Sequence, residues 1–157
     1  MNYSLNLLLI MFNIKKEDIE YDWLGFKITD DNPISAHHIK KRNDGGEDTP
    51  DNIAVLSILS HRYLHEIIEY YAPDVFNKIN VLLKKINHSR VYPDLETIKA
   101  ITELIEEFET SYKKDIKMDL MFKSFNEKKI KKLSDNITLN NPKEFRLLLQ
   151  SGAITGR

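Results

Sequence analysis

The chain contains no cysteine. That absence removes disulfides, thiolate metal sites and cysteine nucleophiles together, so any metal ion must be held by nitrogen or oxygen. It also fits a reducing compartment, and a cytoplasmic location is expected. Net charge is only -1, which denies the molecule a global electrostatic pull on nucleic acid. No run of apolar residues reaches the roughly 20 needed to span a bilayer. The longest candidate, Leu5 to Phe12, has neither a basic stretch before it nor a small-residue cleavage site after it, so it reads as core or as a partner-facing segment. No internal repeat is visible.

What charge there is lies unevenly. Lys113 to Lys132 holds eight lysines against Asp115, Asp119 and Glu127, whereas Asp94 to Glu109 is mostly acidic. Local basic patches bind phosphate even when the total cancels. With 157 residues and 41% hydrophobic content, the chain can bury the core of a single domain.

Residues 1–30 form an apolar and aromatic segment ending at the turn signal Asp30-Asp31-Asn32-Pro33. Ile34 to Ile39 alternates like a strand. A polar loop over Lys40 to Asp51 contains Gly45-Gly46, and Asn52 to Ser57 reads as a second strand. From Ser60 the period becomes helical, with Leu64, Ile67, Ile68 and Tyr71 on one face, Ser57 or Ser60 as the cap, and Pro73 closing the helix. Further helices are expected over Asp74–Asn87 and from Pro93-Asp94 to about Tyr112. Beyond Lys113 the pattern weakens. The expected organisation is therefore α+β and mostly helical: an apolar segment (1–30), a strand-loop-strand-helix core (31–72), a helical elaboration (73–113) and a Lys-rich tail or arm (114–157). Glu144 to Gln150 reads as a terminal helical turn or two.

Four of the five histidines fall between positions 37 and 65. His61 and His65 stand four apart, so on a helix their rings share a face and can grip one ion. Metalloproteases use that spacing with Glu directly after the first histidine. Here Arg62 occupies that position, so a protease reading loses its base. His37 and His38 are adjacent on a strand and point to opposite faces, which leaves one to ligate and the other to act as a base.

The ordered set Ser35-Ala36-His37-His38-Ile39, Gly45-Gly46, Asp51-Asn52-Ile53-Ala54-Val55-Leu56 and Ser60-His61-Arg62-Tyr63-Leu64-His65 resembles the motif of HNH endonucleases. The intervals are 14 from His38 to Asn52, 9 from Asn52 to His61 and 4 from His61 to His65. They are similar to those of the family's histidine-rich branch, which includes bacterial DNase toxins, and Trp23-Leu24-Gly25 extends the likeness. The resemblance implies a ββα-metal finger with helices packed against it. It implies a divalent cation (Zn, Ni, Mn or Mg) held by His37, His61 and His65. His38 would be the general base, and Asn52 would hold the loop and orient His38 through its side-chain amide. Three neutral nitrogens suit Zn²⁺, Ni²⁺ or Co²⁺ better than Mg²⁺.

The activity so implied is hydrolysis of DNA phosphodiester bonds. Lys40, Lys41, Arg42 and Arg62 are the candidate nucleic-acid contacts. Proteins that resemble this family occur in phage, mobile elements and anti-phage defence, where a regulatory partner or a homodimer is expected. Two other readings stay open: an RNase, and a non-catalytic, metal-stapled module that binds nucleic acid or protein in a larger complex. His88 reads as structural or exposed, and Tyr63, Tyr70 and Tyr71 as helix packing. The lysines at 128–132 read as a solvated face, with a DNA-tracking arm as the alternative.

Overall fold

A computed structural model of the chain describes residues 2–112, together with Lys143, Arg146, Leu147 and Gln150. The expectations for the Lys-rich segment, the 128–132 cluster included, lie outside these residues. The four later residues are assigned α-helix, with Arg146, Leu147 and Gln150 falling in the stretch read as a terminal helix.

The apolar start of the chain is helical. Helix α1 spans Tyr3–Met11, capped by Asn2, whose side-chain oxygen accepts from the Leu5 amide at 2.8 Å. Leu5, Leu8, Leu9 and Phe12 pack into the core, while Tyr3 and Ile10 are exposed. Asn13, at φ 55°, ends the helix in the left-handed region that Asn tolerates better than most residues.

The aromatic segment that follows is folded around a buried carboxylate. Asp22 Oδ1 accepts from the amides of Leu24 and Phe26, closing a turn whose Gly25 sits at φ 84°. The turn buries Trp23, Leu24 and Phe26, and the Trp23 amide bonds to the Val55 carbonyl. Burial pushes the Asp22 carboxyl above its ordinary pKa, opposed by hydrogen bonding from Ser60, Ser57 and the turn amides.

Strands β1 (Ile34–His38) and β2 (Ile53–Ser57) pair antiparallel, with His37 opposite Ala54 and His38 opposite Ile53. β2 is buried along its whole length. Its last residue, Ser57, caps helix α2 (Ile58–Arg62) through a reciprocal bond with Ser60. So strand, loop, strand and helix follow in the order read from the sequence, and the fold is α+β and mostly helical.

Two features depart from that reading. α2 continues as a π-helical stretch over Tyr63–Glu69, a wider coil that hydrophobic spacing does not announce. Pro73 also does more than stop a helix. The chain stays helical to Tyr71, and Pro73 then opens α3 (Pro73–Ser89), where its missing N–H costs nothing. α4 covers Leu95–Tyr112 and packs on α3. The buried side chain of Asn87 stitches α3 to the sheet, donating to the carbonyls of Pro50 and Ile53. Among the described residues, no helix is long and apolar enough to cross a membrane.

Candidate metal centre

His37 lies on the inner face of β1 and is 1% exposed. α2 and its π-helical continuation cross that face, bringing His61 and His65 against it. The ring centroids are 5.2 Å apart for His37–His61, 5.1 Å for His37–His65 and 4.9 Å for His61–His65. One nitrogen from each ring lies within 4.8 Å of the other two. These three histidines can hold a metal ion.

The outer partners of the rings decide which nitrogens face inward. His37 Nε2 bonds Asn80 Oδ1 at 2.8 Å, and that oxygen only accepts. The proton therefore sits on Nε2, and Nδ1 keeps its lone pair. His65 Nδ1 meets Glu69 Oε1 at 2.9 Å, which leaves His65 Nε2 as the lone-pair nitrogen. His61 Nδ1 is 2.9 Å from the Ser35 hydroxyl, which can donate or accept and so serves either tautomer. His61 Nε2 stands 3.4 Å from His37 Nδ1. Two nitrogens bound to a tetrahedral zinc at about 2.0–2.1 Å are separated by about 3.4 Å, so this pair needs little movement to share an ion. Carboxylate, amide and hydroxyl partners of this kind fix ring orientation in metal sites.

The electrostatics agree with that role. Burial lowers the pKa of His37 to about 3, helped by the neighbouring histidines and opposed by the Asn80 bond. Burial and the nearby His65 and His38 lower His61 to about 4. Both rings are therefore neutral at neutral pH, which is the ligating form. Glu69 is pulled the other way. Burial would raise its pKa, but bonds from His65 and Lys41 hold it below the ordinary carboxylate value.

His38, the next residue and the last of β1, lies at the rim of the same group, and its Nε2 is 3.3 Å from Asp48 Oδ1. Asp48 also reaches Arg42 at 3.5 Å, and its carbonyl accepts from Ser4 of α1 at 2.7 Å. The three inner rings and His38 open on one cleft of about 290 Å³, with Lys41 and Arg42 at its edge.

Asn52 holds the loop as expected but does not orient His38 through its amide. Its oxygen accepts from the Lys40 amide, and its amino group donates to the carbonyls of Lys40 and Glu47. The side-chain partner of His38 is Asp48 instead, because the loop folds back over the strand end. Of the four expected cationic contacts, Lys41 and Arg42 reach the cleft. Lys40 lines a neighbouring one, and Arg62 lies 3.5 Å from Glu66 without lining either. His88 is exposed and Tyr63 is buried, as read, but Tyr70 is 65% exposed rather than packed away.

The residues missed by sequence reasoning are Ser35, Asp48, Glu69 and Asn80. Ser35 and Glu69 had a local signal, two positions before His37 on the same strand face and four after His65 on the same helix. No family model, curated protein or solved structure matches the chain.

Proposed function

We propose that the chain is a metal-dependent endonuclease of the HNH type, hydrolysing phosphodiester bonds in DNA. The observation that supports this reading is the division of labour among four histidines. Three rings converge with one nitrogen each while hydrogen bonds anchor their other nitrogens, and His38 stands beside them with a carboxylate partner.

His37 Nδ1, His61 Nε2 and His65 Nε2 would hold the cation. When bound, it neutralises charge on a phosphate oxygen and on the departing oxygen. His38 takes the proton of the attacking water as the new P–O bond forms and the bond to the 3′ oxygen breaks. Asp48 steadies the imidazolium so produced. Lys41 and Arg42, at the cleft edge, would bind flanking phosphates.

One observation favours a second reading, a metal-stapled binding module. The triad joins β1 to α2, and its His37 is fully buried, as a ligand of a structural ion would be. Plasmid nicking with EDTA, Mg²⁺, Mn²⁺, Ni²⁺ or Zn²⁺ separates the two. The nuclease gives metal-dependent nicking that His38→Ala abolishes while metal binding persists, and His61→Ala loses both. Full activity in His38→Ala would discard the reading. Running a DNA and an RNA oligonucleotide in parallel decides the sugar.

A further inference from the structure

The loop after β1 and helix α3 enclose a second cleft, of about 510 Å³, next to the metal centre. Lys41 lines both clefts and so forms their common wall. Its ammonium lies 5.3 Å from the centre of the Phe76 ring and is paired with Glu69. The size falls within the range of small-molecule sites, about 300–1,000 Å³.

The lining combines apolar surface from Ile39 and Phe76 with polar groups weighted towards cations. Lys40 and Lys84 join Lys41, against Asp44 and a Glu69 that Lys41 already neutralises. α3 adds two side-chain amides, Asn77 and Asn80, one turn apart on the face towards the cleft. Asn80 Oδ1 is committed to His37, which leaves its amino group to donate, and the Asn77 amide makes no hydrogen bond among the described residues. Amides beside lysines are the groups that recognise a base edge together with its phosphate.

We propose that this cleft binds a nucleotide of the substrate strand, the one next to the phosphate at the metal centre. Asn77 and Asn80 meet the base edge, while Lys84 and Lys40 meet the phosphate beyond it. The strand would cross Lys41 from one cleft to the other. The neighbouring metal centre is taken from the nuclease reading, but binding in the cleft does not require turnover.

The test is fluorescence anisotropy of a short labelled single-stranded DNA in EDTA, using the full chain. Lys84→Glu is expected to weaken binding at least about tenfold, and Asn77→Ala about fivefold. Lys78→Glu and Lys85→Glu change charge equally on exposed positions of the same helix outside the cleft. Each should stay within about twofold of the parent chain. Asn77 is exposed, so its replacement separates cleft binding from any loss of folding in Lys84→Glu. The proposal fails if Lys85→Glu weakens binding as much as Lys84→Glu, if Asn77→Ala has no effect, or if the parent chain does not bind. Absence of nicking with every cation would sink the nuclease reading while leaving a cleft-specific result standing.

Discussion

Two polar clusters flank the helix that carries His61 and His65, and they are built on opposite principles. On one side, His37, His61 and His65 bring together three ring nitrogens within 4.8 Å of one another, with no carboxylate among them. On the other, Tyr63 donates to Glu109 at 2.9 Å, and Arg146 grips the same carboxylate at 2.6 and 3.0 Å. Burial would lower the Arg146 pKa, but Glu109 outweighs it and holds the guanidinium above its ordinary value. Burial and the same carboxylate raise the Tyr63 phenol well above its usual range. This second cluster is closed, since charge meets charge inside it. The histidine cluster is open, because among the described residues its inward nitrogens meet only one another. The closed cluster can only brace the fold, whereas the open one can also hold an ion, although both sit on one helix.

The sharpest way to break the comparison is to open the closed cluster. Arg146→Ala leaves a buried Glu109 carboxylate without its partner and should cost about 3–5 kcal/mol in urea unfolding. Arg146→Met combined with Glu109→Gln removes both charges and should recover most of that loss.

Acid should expose the open cluster next. In the unfolded chain His37 and His61 return towards an ordinary pKa of about 6.5. Folded, they stay neutral down to about 4 and about 3 respectively for His61 and His37. As pH falls below the unfolded value, the unfolded chain takes protons that the folded chain refuses. Stability is therefore whole above about pH 6.5 and drops by about 1.4 kcal/mol per pH unit for each histidine. Urea midpoints from pH 7 to pH 5 check this in metal-free protein, and His37→Asn should flatten the slope.

The smallest expected effect refines the open cluster. Glu69→Gln weakens the anchor of His65 and should lower Zn²⁺ affinity about 10–100-fold by competition titration, with His65 still present. An unchanged affinity would make the Glu69 bond incidental.

How much of this was legible in the sequence follows from the range of each interaction. β1, β2 and the helix behind them showed in local periodicity, and His37, His61 and His65 in their spacing. The helical state of α1 was obscured because Leu5 to Phe12 is apolar on nearly every side, which erases the amphipathic period. Asn80 meets His37 across 43 positions and Arg146 meets Glu109 across 37, and a single sequence carries no signal for such pairs. Glu109 read only as part of an acidic stretch, although it is 1% exposed. Asn52 was correctly read as the residue that holds the loop. Its exchange with Lys40 could not be told in advance from one with His38, since the two stand only two positions apart.

The placement of His37 on β1 and His61 on α2, 24 positions apart, has a mechanical meaning for a chain without disulfides. An ion shared between them would be a removable crosslink, closing the whole loop from His38 to Ser60 and draining the entropy of the open chain. Unlike a sulfur bridge, such a clasp is undone by a chelator and remade by resupply. The lifetime of the folded protein against proteolysis would then track the free cation around it, tying the survival of the fold to that supply.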